Sequence, residues 1–149
     1  PLEEAAEALE AGELVALMPQ GTIPRGRAFF EPELQGRWGA IKLARLAGAP
    51  LVPVGLWGTE KVWPRSARVP NVLNVTDPPL IRIRVGEPFF AADGDIDAAT
   101  ADMMERICAL LPPEARKPHD PTPEELAATL PPGQDGEGTD ESVRRPGTD

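Results

Sequence analysis

The chain has 149 residues, 41% of them hydrophobic, with 14 Gly, 19 Pro and a net charge of −9, which bounds it to one modest domain rich in turns. No apolar run approaches the roughly 20 residues of a membrane-spanning helix, and no Arg/Lys-led signal peptide opens the sequence. The single Cys108 excludes an internal disulfide framework and a cysteine zinc site, and it fits a reducing, cytosolic setting.

The chain opens at Pro1, without Met and directly in a helix-like pattern, so a fragment or a processed product is expected. Leu2 to Glu10 reads as a short helix, with Leu2, Ala5, Ala6 and Leu9 at helical spacing and Gly12 as its stop. Leu14-Val15-Ala16-Leu17-Met18 reads as a buried strand ended by Pro19, and a Gly/Pro-rich loop runs from Gln20 to about Gln35. Trp38 to Ala47 is a second helix, with Ile41, Leu43, Ala44 and Leu46 on its apolar side and Gly48 closing it.

Leu51 to Leu56 is the next strand, and Pro53 puts it at a sheet edge or a strand end because proline cannot donate to a ladder. Strand, helix and strand in that order predict a right-handed βαβ unit. After a Pro-punctuated loop over 57–79, Leu80 to Val85 alternates. Ile81, Ile83 and Val85 share one face, and Arg82 and Arg84 the other, the pattern of a half-exposed strand. Ile96 to Leu111 is helical, with Ile96, Met103, Ile107 and Leu110 facing inward.

From Pro112 the composition changes to eight prolines in 38 residues with a net charge of −5, which predicts a disordered acidic tail over 112–149 beyond a domain at 1–111. Inside that tail, Thr122-Pro123-Glu124-Glu125 has the form of a capping box before Leu126 to Leu130. There are no internal repeats.

Charge is unevenly spread. Residues 19–86 hold ten Lys/Arg (Arg25, Arg27, Arg37, Lys42, Arg45, Lys61, Arg65, Arg68, Arg82, Arg84) against four acids, a window of +6, which suggests an anionic partner. A solvated mixed surface accounts for the same charges. Chemistry concentrates in Leu17 to Gly26, where a strand runs into a Gly-containing turn followed by Arg25 and Arg27. Gly21 lets backbone approach a ligand or take a positive φ, Thr22 supplies a hydroxyl, and Arg25 supplies a planar fork suited to phosphate oxygens. An ordinary turn with solvated arginines is the alternative.

Pro19-Gln20-Gly21-Thr22 resembles the third block of the glycerol-3-phosphate and lysophosphatidate acyltransferase family, normally Pro-Glu-Gly-Thr-Arg-Ser. Arg37-Trp38-Gly39-Ala40 is similar to its Lys-x-Gly-Ala step into a helix. Ala47-Gly48-Ala49-Pro50-Leu51-Val52-Pro53-Val54 resembles its fourth block, continued by Gly58-Thr59. The resemblance covers roughly residues 10–90. Gln-Gly-Thr-Ile-Pro-Arg-Gly and Gly-Leu-Trp-Gly-Thr-Glu-Lys-Val-Trp-Pro-Arg resemble an actinobacterial-type branch.

The resemblance implies an α/β fold, a mostly parallel sheet with flanking helices, of which this chain is the C-terminal half. It also implies transfer of a fatty acyl group from acyl-CoA or acyl carrier protein to a lysophosphatidate-type acceptor at the cytoplasmic membrane face. Gln20, Gly21, Thr22, Arg25 and Arg37 are the implied acceptor-binding residues, with Val52-Pro53-Val54 beneath them. Gln20 departs from the family glutamate, and Ile23-Pro24 replaces Arg-Ser, so Arg25 inherits the phosphate contact and Arg37 assists. The family's catalytic base is the histidine of a His-x4-Asp block well upstream of the third block. His119, the one histidine here, is followed directly by Asp120 and lies after the last core helix, so it does not match. The catalytic pair is therefore expected before Pro1, and the isolated chain is expected to be inactive. No metal, bound cofactor or nucleic acid is implied.

A non-catalytic lipid-phosphate binding module of the same fold is the alternative. A nucleotide-binding domain is disfavoured because no Gly-x-Gly-x-x-Gly follows the strand. Trp38, Trp57 and Trp63 and the Phe29-Phe30 pair are readable as packing or as lipid-facing surface. Cys108 reads as an inert buried thiol, and Asp95, among Asp93 and Asp97, reads as a helix cap.

Overall fold

The structure is a computed structural model that describes residues 2–71, 73 and 75–132. It divides into two compact units. One comprises the described residues within 2–22, 34–54 and 85–110, the other those within 23–33, 55–84 and 111–132.

The first unit is helical. Helix α1 (Leu2–Glu10) places Glu3 and Glu4 in its first turn, where they complement the helix dipole, and buries Ala6. Helix α2 (Gly39–Ala47) packs on α1 and ends at Gly48, whose N–H closes back onto the Ala44 and Arg45 carbonyls. Its apolar positions fall at helical spacing, so Ala40, Ile41, Leu43 and Ala44 are all buried on one side. The expected start at Trp38 becomes the N-cap instead, with the Lys42 ammonium 3.8 Å from the centre of the indole ring.

The core joins Ala40 and Ile41 to Ala99, Met103 and Met104 of the helix Ile96–Leu110, with Leu34, Leu51, Phe89 and Ile107 packed around them. Ile41 is fully buried, and its side chain contributes about 1.5–3 kcal/mol through removal from water. The Ile96–Leu110 helix matches the periodic pattern closely. Its entry is fixed by Asp95, whose Oδ1 accepts the Asp97 N–H at 2.9 Å, the capping role expected for it. Arg45 donates to the Ala92 and Gly94 carbonyls, and Arg106 lies 4.3 Å over the Phe89 ring.

Among the described residues the strands are β1 (Val54–Trp57) and β2 (Arg82–Val85), which pair antiparallel, and an isolated antiparallel bridge joins Leu51 to Phe89 beyond them. Pro53 sits at the start of β1 and accepts from Gly86 N–H at 2.9 Å without having to donate. Leu14–Met18 departs from its expectation. It forms no ladder, Leu14 is 89% and Met18 82% exposed, and the βαβ unit has no counterpart among the described residues. An apolar run becomes a strand only beside another strand, and none lies beside it among the described residues. Strand β2 likewise exposes both faces instead of one, since no layer covers Ile83 or Val85 among the described residues.

In the second unit a short helix α3 (Thr59–Val62) interrupts the expected loop after Gly58. The Ile96–Leu110 helix being α4, the last helix is α5 (Pro123–Ala128). It follows a 3-10 turn at Pro113–Arg116 and packs against another 3-10 turn at Gly26–Phe30. Disorder from Pro112 was the expectation, yet Leu111, Pro112, Pro121, Thr129 and Leu130 are all buried. The capping box forms in full, with Thr122 Oγ1 accepting from Glu125 N–H at 3.2 Å and Glu125 Oε2 accepting from Thr122 N–H at 2.8 Å. The remainder of the expected tail, 133–149, lies outside the described residues.

Candidate functional site

The Gly21 turn belongs to the first unit. The Met18 carbonyl accepts the Gly21 N–H at 3.0 Å, closing a tight turn over Pro19 and Gln20. Gly21 takes φ +67, a left-handed conformation that a side-chain-bearing residue resists. The Arg37 N–H then donates to the Pro19 carbonyl at 2.8 Å, which draws the residue before the α2 N-cap onto this turn. Arg37 lies so close that a Cβ on Gly21 would stand 2.8 Å from its Cδ and 3.0 Å from its Nε. Glycine is therefore favoured here for its φ, and a side chain in its place would push the Arg37 side chain aside.

Thr22 and Gly21 are exposed, whereas Pro19, Gln20 and Arg37 are half-buried. The turn thus offers a hydroxyl and a glycine backbone to water, with the Arg37 side chain laid along it. That combination suits an oxyanion.

Arg25 belongs to the second unit. Its backbone is extended at φ −130, ψ 162, and it immediately precedes the Gly26–Phe30 turn. Arg65 Nη1 donates to the Ile23 carbonyl at 3.2 Å, bringing a second guanidinium to this segment from 42 residues away. Burial first, and the Arg25 charge second, hold the Arg65 guanidinium below its ordinary basicity. The turn itself is fastened by Gly26 N–H donating to Thr129 Oγ1 at 2.8 Å and by an Arg27–Asp120 ion pair at 3.0 Å.

His119 packs at a tilt against Phe30 with ring centres 5.2 Å apart, and its Nε2 lies 3.0 Å from Glu125 Oε2. It is exposed and engaged with a helix cap. The Thr122 N–H above all, with the His119 ring assisting, holds the Glu125 carboxyl below the usual carboxylate range.

Of the residues singled out in the sequence, the structure brings together Gly21 and Arg37 and sets Gln20 and Thr22 beside Gly21 in the same turn. Arg25 lies instead in the second unit, where Arg65 reaches the Ile23 carbonyl two residues before it; the sequence placed Arg65 in the basic window and at the end of a family-like stretch without giving it a role. A signal for Arg65 was present: it ends the stretch Gly58-Thr59-Glu60-Lys61-Val62-Trp63-Pro64-Arg65. Trp63 is 56% exposed and donates from Nε1 to the Ala67 carbonyl at 3.1 Å, while Trp38 and Trp57 are half-buried. Cys108 is a half-buried free thiol. Among the described residues no helix is long and apolar enough to cross a membrane, and no group of three or more His, Cys, Asp or Glu is placed to hold a metal ion.

Residues 1–57 match the protein-family model described as Acyltransferase, a segment that holds Gln20, Gly21, Thr22, Arg25 and Arg37. This supports acyl transfer as the class of chemistry. No curated protein and no solved structure matches the chain.

Proposed function

We propose that this chain supplies the acceptor side of a glycerolipid acyltransferase, in which a fatty acyl group passes from acyl-CoA or acyl carrier protein to the free hydroxyl of lysophosphatidate. The carrying observation is the packing of Arg37 along the Gly21 turn, inside the segment matched by the acyltransferase family model. Holding the acceptor by its phosphate at Gly21, Thr22 and Arg37 restricts the hydroxyl to reactive approach, and orientation of this kind is worth up to roughly 7–11 kcal/mol of barrier when geometry is ideal. Gln20, neutral where the related family has a glutamate, shapes the turn without adding negative charge near the phosphate.

The attacking hydroxyl needs a base, and a His-x4-Asp pair preceding Pro1 is the proposed source. In that setting Leu14–Met18 would pair with neighbouring strands, completing a mostly parallel α/β sheet with flanking helices. The membrane that carries the acceptor is met at its cytoplasmic face.

Acyl-transfer kinetics on the complete gene product test this reading. Arg37→Ala raises the KM for lysophosphatidate about tenfold, the loss of one charge-assisted contact, and leaves the donor KM unchanged. An unaltered acceptor KM overturns the role of Arg37. Lysophosphatidate binding without turnover in the complete product selects a non-catalytic lipid-phosphate module, a reading that the amide at Gln20 favours.

A further inference from the structure

Beyond α3 the chain turns out a short closed loop whose residues take no part in the Gly21 turn. The Asn71 N–H donates to the Val62 carbonyl at 2.8 Å, so residues 62–71 leave the end of α3 and return to it. Inside the loop the Ala67 N–H donates to the Pro64 carbonyl at 2.9 Å, which tightens its tip. Arg65 fastens it from the side, through Nη1 to the Ile23 carbonyl at 3.2 Å.

Two kinds of side chain are left in water. Trp63 and Val69 are 56% and 73% exposed, and the Trp63 Nε1–H is already taken by the Ala67 carbonyl, so the open part of the indole needs no polar partner. Arg68 on the loop and Lys61 just before it are exposed, and neither has a carboxylate partner among the described residues. Residues 61–76 hold Lys61, Arg65 and Arg68 and no acid, within a chain of net charge −9.

An exposed valine or an unpaired lysine alone is ordinary surface. Together, on one closed loop, they match the layers of a lipid interface: indole rings favour the headgroup level, aliphatic groups the acyl boundary beneath it, and cations the anionic headgroups. We propose that the 62–71 loop is a membrane anchor, in which Trp63 and Val69 enter the surface of an anionic bilayer and Lys61 and Arg68 engage its charged headgroups.

Being closed beforehand by Asn71 and held by Arg65, the loop loses little freedom on docking. Screening over about 10 Å at ordinary salt lets this local cluster act against the sign of the whole chain. Single-stranded nucleic acid answers to the same charges, but it rewards ring faces, and one indole beside an aliphatic Val69 fits acyl chains better than stacked bases. That the bilayer is the one carrying the acceptor rests on the acyl-transfer reading above; the anchor itself does not.

Co-sedimentation of the 149-residue chain with vesicles tests the proposal, using phosphatidylcholine alone and phosphatidylcholine mixed with anionic phosphatidylglycerol. The anchor requires binding to the mixed vesicles at least about tenfold tighter than to phosphatidylcholine, falling as salt rises. It also requires that W63A and R68Q each weaken that binding about fivefold. Lipids brominated near the headgroup should quench the wild-type tryptophan emission and lose most of that effect in W63F. The Arg68 side chain makes no hydrogen bond among the described residues, so R68Q carries the test if W63A unfolds.

Equal binding to both vesicles, no binding to either, or wild-type binding by R68Q overturns the anchor. Binding that survives W63A and R68Q but falls in Met18→Gln belongs to Leu14–Met18 and overturns it as well. Capture of a single-stranded oligonucleotide in place of vesicles, lost in R68Q, replaces it with a nucleic-acid surface. Vesicle binding that depends on Trp63 and Arg68, with a complete gene product that transfers no acyl group, keeps the anchor and removes acyl transfer. Acyl transfer by the complete product, with no vesicle binding by the 149-residue chain, keeps that reading and removes the anchor.

Discussion

The Thr129 hydroxyl accepts the backbone N–H of Gly26 at 2.8 Å, joining positions 103 residues apart. The same hydroxyl donates to the Leu126 carbonyl at 2.7 Å, so one buried side chain satisfies both the last turn of α5 and the start of the turn that follows Arg25. Replacement of Thr129 by Val keeps the shape and strands the Gly26 N–H. A cost of about 1–3 kcal/mol is expected, the penalty of an unpaired buried donor. Hydrogen exchange at the Gly26 amide reads this directly: it accelerates in Thr129→Val and stays slow in Thr129→Ser.

Gly21→Ala sets a methyl against Arg37 and forces a residue with Cβ into φ +67. The conformational part costs about 1–2 kcal/mol, and the Arg37 side chain, being flexible, swings aside. Thermal unfolding therefore shifts modestly, whereas the Arg37 Nε resonance moves and lysophosphatidate binding weakens. Unchanged binding with a displaced Arg37 separates the turn from the acceptor.

Glu125 sets the behaviour of α5 toward acid. Its carboxyl is held low by Thr122 N–H first and His119 second, so the folded state favours the ionised form more than the unfolded state does. The stabilisation is complete above the ordinary carboxylate range and is lost as pH falls through the depressed folded value. Amides of α5 should lose exchange protection over that acidic window. In Glu125→Gln, which has no carboxyl to titrate, protection should not change across it.

Within α2 the two apolar faces differ enough to serve as internal controls. Ile41→Ala removes a fully buried side chain and should cost about 2–5 kcal/mol by urea unfolding. Leu46 is 60% exposed on the same helix, so Leu46→Ala should stay within about 0.5 kcal/mol of the parent. Similar losses for both would mean that the burial of Ile41 is misplaced.

Helices α1, α2 and α4 were legible because each writes its own period. Ile41, Leu43 and Ala44 announce a buried face, Asp95 a start and Gly48 a stop, all within a few residues of one another. Leu14–Met18 was not legible in this way. Its composition states what it would bury, but a ladder needs a neighbour, and no property of those five residues says whether one is present.

The C-terminal segment misled for a different reason. Averaging over 38 residues diluted Leu130 and the buried Thr129 among prolines and acids, although the capping box at Thr122 and Glu125 was readable and formed as written. In the candidate site, Gly21 and Arg37 were each found by their motif, while their contact depends on the Arg37–Pro19 backbone bond, which no local pattern encodes. Arg65 escaped because its importance lies in its position beside Ile23, far away along the chain.

The bare stretch at Leu14–Met18 has a consequence at the bench. An oily segment whose Leu14, Leu17 and Met18 side chains stand in water is adhesive, open to any other polypeptide that can lie alongside it. Dilution and mild detergent, more than cooling, should decide how long a stock of the isolated chain stays clear of aggregate.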